Sequence, residues 1–325
     1  MASLKTLLII TISTARLIFP GVPGAPGITE IARPPAVKSI SFELASDAAA
    51  SKDSKASITV PEGLKAGKSL DLQIDLTPAP KPSTTPTESK LSLYEYWGSS
   101  REVATSQPKV GRPKSPDSET TPGIPTTSFA SWPGMDSPAI ADAAATPGDY
   151  SLKTDYCGST AFTLTSEQDF LAPVNITSAA SEPDLDKPIV IKWRPVPNAV
   201  GYLIKAFGGQ GTKTVTWTSA AKPELADGIE YRPIGKDELD KFIQSGVLVP
   251  SYAITATIPA GIFKGSPSVM LVMTAFGRDL TQVKDGIDTQ VIVRSTASFP
   301  LHSTPIKLRP SKPKNADRVI PSDDE

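Results

Sequence analysis

The chain has 325 residues, enough for two ordinary cores, and its 33 prolines disfavour long helices because proline lacks the backbone donor and clashes with the preceding turn. Lys and Arg number 33 against 34 Asp and Glu, so no overall field holds nucleic acid or an anionic membrane surface. One histidine and one cysteine exclude His-based catalytic triads, multi-histidine zinc sites and any intrachain disulfide.

The first element is an apolar run at residues 6–12, preceded by Lys5 and followed by the small residues Ser13 and Ala15. This pattern predicts a secretory signal peptide and leader over residues 1–33. Arg16 breaks the run before it reaches the length of a membrane-spanning helix, and no later segment is long and apolar enough. The expectation is an exported protein, periplasmic or extracellular, with no transmembrane segment in its mature form.

After the leader, Ile40, Phe42 and Leu44 alternate with Ser39 and Ser41, the period of a half-buried strand. Residues 57–76 read as two strands about a turn, the second placing Leu70, Leu72, Ile74 and Leu76 on one face. Another strand, "KLSLYEYWG", ends at Trp97. Residues 99–148 are polar and Pro/Ser-rich, the composition of a disordered insertion, with Trp132 and Met135 as its bulky apolar pair. Strands return at "GDYSLKTDYCGSTAFTL", so residues 34–165 form a predicted N-terminal β-sandwich.

In the second half, strands are expected at residues 189–193, 202–207, 213–219, 252–258, 269–275 and 290–295. Leu239, Phe242 and Ile243 fall at helical spacing in "GKDELDKFIQSG", with acids early and Gly246 to stop the turn. Within "IVIKWRPVPNAVGYLIKAF", Ile189, Ile191 and Trp193 share one face, Pro195 and Pro197 end the strand, and Tyr202, Ile204 and Ala206 open the next. This stretch resembles fibronectin type III domains. The resemblance implies a β-sandwich over about residues 168–300, with a tryptophan inward on its second strand. The long segment 220–250 departs from that pattern. "YSLKTDYCGSTAFTLTSEQDFLAP" further resembles exported bacterial proteins of unassigned activity.

Several stretches mimic chemical motifs. "GLKAGKS" has three residues between its glycines where a phosphate loop needs four, and a strand follows, so it reads as a turn. "FGGQGTK" lies between strands and reads as a hairpin. Glu182, Asp184 and Asp186 lack the glycine-defined loop of a calcium site and read as a solvated turn. His302 reads as a tail residue, Cys157 as a small buried hydrophobe, and "NIT" at Asn175 as a chance match to a glycosylation acceptor.

The sequence therefore predicts an all-β protein of two antiparallel β-sandwich domains, Ig-like and fibronectin III-like, with the long insertion and one short helix. Its parts are the leader 1–33, the first sandwich 34–165 interrupted at 99–148, the second sandwich 166–302, and a disordered tail 303–325. The expected role is non-catalytic, a structural or binding protein of the cell envelope that needs no cofactor or metal. Its partner would be a protein or glycan, met through Trp97 and Trp132. Two other readings are a carboxylate-based hydrolase with its site at the interdomain cleft, and an accessory of surface assembly or secretion that adds a strand to a partner's sheet.

Overall fold

The computed structural model describes residues 5–18, 35–76, 91–112, 127–134, 137–178 and 183–303. Met135, Glu182, most of the expected leader beyond residue 18 and nearly all of the expected tail lie outside the described residues.

In chain order, the strands of the first half are β1 (Thr6–Leu17), β2 (Val37–Ser46), β3 (Ala56–Thr59), β4 (Ser69–Asp71), β5 (Gln73–Asp75), β6 (Ser92–Trp97), β7 (Lys109–Gly111), β8 (Ser128–Trp132), β9 (Gly148–Thr154) and β10 (Ser159–Leu164). The second half continues with β11 (Asn175–Ser178), β12 (Ile189–Arg194), β13 (Gly201–Gln210), β14 (Lys213–Thr218), helix α1 (Lys236–Gln244), β15 (Val249–Pro250), β16 (Thr255–Ile258), β17 (Ser268–Phe276), β18 (Leu280–Lys284) and β19 (Ile287–Ser303). The chain is mostly β, arranged in one large mixed sheet and two smaller antiparallel ones.

The large sheet has twelve strands and the path β5-β8-β2-β1-β19-β17-β13-β14-β6-β7, with β15 added to β13 and β18 to β19. Two of its pairings are parallel, β1 with β19 and β6 with β14, and both join the first half of the chain to the second. A four-stranded sheet, β10-β9-β3-β4, covers one part of it, and a three-stranded sheet, β11-β12-β16, covers another. Phe42 of β2 and Tyr150 of β9 meet at 6.2 Å across the first pair of layers. Trp193 of β12 and Tyr202 of β13 meet edge-on at 5.4 Å across the second. The buried side chains between the layers form one cluster that runs from Leu8 to Leu301.

Local sequence explains most of these strands. The alternation in β2 buries Ile40, Phe42 and Leu44 and leaves Val37, Ser39 and Glu43 to the solvent side. In β12, Ile189, Ile191 and Trp193 point into the core, as their spacing requires. The hairpin expected at "FGGQGTK" is the β13–β14 connection, where Gly211 takes a φ of 60°. Helix α1 has Asp237 and Glu238 in its first turn, buries Leu239 and Phe242, and ends where Gly246 adopts a φ of 72°.

Several expectations need correction. The apolar run of the expected leader is β1, hydrogen-bonded to β2 along one edge and β19 along the other, with Leu8, Ile10 and Ile12 fully buried. Its alternation of Leu and Ile with Thr and Ser fits a central strand as well as it fits a signal peptide. The boundary expected near residue 165 does not divide the large sheet, because β6 is paired with β14 and β1 with β19 across it. The insertion 99–148 is ordered in part: β8 lies between β5 and β2, and β7 closes one edge. The strand expected through residues 70–76 breaks at Leu72, so that β4 belongs to the four-stranded sheet and β5 to the large one. Leu72 stays buried while Leu76 is half exposed.

Candidate functional site

The outer face of the large sheet differs along its length. Over one half, residues 220–250 fold back onto it, and Leu203 of β13 and Phe276 of β17 join a second buried cluster with Ile229, Leu239, Phe242 and Leu248. A buried ion pair fixes this cover: Arg294 of β19 donates to both carboxylate oxygens of Asp279, at 2.7 and 2.9 Å, and to the carbonyls of Ile229 and Arg232. Asp279 also accepts from the backbone N–H groups of Ile234 and Val293. At the rim of the cover, Lys205 of β13 pairs with Glu230.

Beyond that rim the face is open. Strand register sets two rows of outward side chains there. One runs Pro300, Met270, Phe207, Thr216, Glu95, across β19, β17, β13, β14 and β6. The next runs Leu17, Ser298, Val272, Lys205, Thr218, Trp97, from β1 to β6. Phe207 is 42% exposed, Met270 39% and Leu17 44%. These residues are apolar on the side of the sheet opposite the core, because Ile204 and Ala206 of β13 and Leu271 and Met273 of β17 already occupy the inner side. The outward threonines of β14 follow from the same alternation, since Val215 and Trp217 point inward. Exposed apolar residues grouped in this way mark a contact surface more often than a solvated one.

The two tryptophans expected to meet a partner part company. Trp97 ends β6 on the open face, half-buried, with its backbone held by the side-chain amide of Gln107 at 3.1 and 2.9 Å. Trp132 is buried in β8 beside Phe42, 6.0 Å between rings, and has 6% of its surface left, so it pins the former insertion and offers no face to a partner. Phe207, Met270 and Val272 were not singled out from the sequence. Their signal was nonetheless present, as large apolar residues out of phase with the buried set on two strands that were correctly placed.

The groups that mimic chemistry lie apart. Cys157 is half-buried, its Sγ 3.3 Å from Thr154 Oγ1, and burial pushes the thiol pKa up, the opposite of what a nucleophile needs. Asp184 pairs with Lys187 at 3.0 Å, which holds its carboxyl below the usual range, and Asp186 pairs with Lys264 at 3.2 Å. His302 is not a tail residue but a member of β19, opposite Val269. Asn175 lies in β11 with its amide oxygen buried. A cleft of about 440 Å³ beside α1 contains two acids, Glu167 and Asp240. Glu167 is paired with Arg278 at 3.3 Å, and both acids are exposed to solvent. Among the described residues no helix is long and apolar enough to cross a membrane. Neither a protein-family model nor a curated protein matches the chain.

Proposed function

We propose that this protein is a non-catalytic binding module of two fused β-sandwiches that engages its partner through the open half of the large sheet's outer face. The observation that carries this reading is the uncovered apolar group Phe207, Met270, Val272 and Leu17 on a sheet whose other half is covered by residues 220–250. Leaving such side chains in water gains nothing for folding, since each would bury at a gain of about 1.5 to 3 kcal/mol.

The order of strands supports an immunoglobulin-type reading of both sandwiches. The run β1-β2-β8-β5 against β10-β9-β3-β4 has the A-B-E-D and G-F-C-C′ order of such domains, with β6 and β7 as an excursion between the D and E positions. The sheet β11-β12-β16 against β14-β13-β17-β19 matches the fibronectin III-like arrangement, and Trp193 then occupies the inward position on its second strand. Domains of this type commonly serve as recognition modules of cell surfaces, which favours a partner in the cell envelope.

The double substitution Phe207→Asp with Met270→Glu tests the binding role. Immobilised on native envelope material, the parent chain should be retained and the variant should not, with unchanged thermal unfolding. Equal retention of the two proteins would remove the open face as the binding surface.

A further inference from the structure

We infer that the ligand of this face is a neutral polysaccharide chain lying across β6, β14 and β13, an assignment that rests on the binding reading above. Trp97 and Phe207 stand two strands and two residues apart, about 12 Å by the usual strand spacing and rise. That distance is on the scale of a disaccharide, so two rings of a glycan could stack on the two side chains at once. Aromatic ring faces carry partial negative charge and attract the C–H faces of pyranose rings.

Between the two aromatics stand Thr216 and Thr218 of β14, with Thr214 one step further along the same face. The hydroxyls of Thr214 and Thr216 make no hydrogen bond among the described residues, and Thr218 Oγ1 only accepts from the Ala220 N–H at 3.3 Å. A protein partner closing dry over this row would bury unsatisfied hydroxyls, which is costly, whereas a sugar brings its own hydroxyls to them. The charges of the region select a neutral chain. Lys205 is already neutralised by Glu230, and Glu95 stands opposite Lys109 of β7, so the face carries no unbalanced charge to hold an acidic sugar. The face is open, with Phe207, Met270 and Leu17 well exposed, and recognition is therefore spread along a chain.

The test uses the full chain with a neutral β-linked glucan, chitin and polygalacturonate as insoluble or gel-embedded probes. The expected result is retention by a neutral glycan, reduced roughly tenfold or more by Phe207→Ala and by Trp97→Leu, and a smaller loss with Thr216→Val. Thermal unfolding of each variant checks that the fold is intact, and Phe207→Ala, at an exposed position, keeps the test decisive if Trp97→Leu unfolds. Retention that ignores both aromatic substitutions overturns the inference. So does binding only to polygalacturonate, or Phe207-dependent capture of a protein with no neutral glycan retained, although these last two leave the binding reading standing. If Phe207→Asp with Met270→Glu alters no interaction of any kind, both fall.

Discussion

Asp279 and Arg294 form a two-pronged ion pair with side chains 2% and 5% exposed, and Arg294 also lies over the ring of Phe276, 4.4 Å from its centre. Through the carbonyls of Ile229 and Arg232 the pair ties the 220–250 cover to the sheet. It therefore decides which half of the outer face is closed. A buried pair of this kind adds little over a well-packed apolar substitute, but breaking it leaves one charge stranded.

Asp279→Ala should cost about 3 to 5 kcal/mol, because Arg294 then remains buried without its counter-charge. Denaturant unfolding measures the loss, and amide hydrogen exchange should rise first in α1 and in residues 226–234. Wild-type protection of α1 in this variant would show that the pair does not hold the cover.

Trp193→Ala should cost about 3 to 5 kcal/mol by removing the largest side chain between β12 and β13. Tyr202→Phe is a gentler probe of the same contact. The Tyr202 Oη accepts from the Val196 N–H at 2.9 Å, and its loss leaves that donor buried, at about 1 to 3 kcal/mol. Thermal unfolding ranks the two, and an order in which Tyr202→Phe is the more damaging would place the tryptophan outside the core.

Truncation of residues 1–17 should abolish cooperative unfolding, since β2 and β19 would both lose their partner along β1. Ile10→Ala, a milder change at a fully buried position, should cost about 2 to 5 kcal/mol. N-terminal sequencing of the protein recovered from its native host gives an independent check: Thr6 to Leu17 should still be attached. A folded, stable chain beginning near Thr29 would refute this role for β1.

Alkaline pH should unfold the protein, in part through Tyr150. Burial, with Asp169 as a second cause, raises its pKa well above the ordinary tyrosine value, and its hydroxyl donates to the Thr146 carbonyl at 2.7 Å. The folded state then holds the proton where the unfolded state has lost it, so this contribution is complete below about pH 10 and declines as pH rises toward the folded value. In an ultraviolet titration of the seven tyrosines, Tyr150→Phe should remove one late-ionising phenol and make the loss of stability above pH 10 shallower. If the phenol lost in the variant comes from the ordinary range near pH 10 and the late ionisation is unchanged, Tyr150 ionises in the native state and this account fails.

Much of the secondary structure was legible in the chain because burial on one face of a strand imposes a period of two. That period located β2, β12, β13, β14 and β17, and the change to helical spacing located α1 between Gly235 and Gly246. It also sorted Trp217 inward from the threonines of β14, which form part of the candidate face. β1 was misread because a buried strand and a leader share the same composition: a short apolar run with small residues after it. β8 was missed because Trp132 and Ala130 are buried by neighbours more than fifty residues away in sequence, Phe42 and Leu44, and nothing local marks that pairing.

What the sequence by itself determined was the character of β2, β12, β13, β14 and β17 and which side of each turns inward, since both follow from alternation within a few residues. Tertiary structure alone decided that the two halves share one sheet, because the parallel pairing of β1 with β19 and of β6 with β14 depends on backbone hydrogen bonds between segments far apart in the chain. It also decided the site. Phe207, Met270 and Trp97 come onto one face only through register across four strands, and they stay open only because the 220–250 cover ends at the Lys205–Glu230 pair.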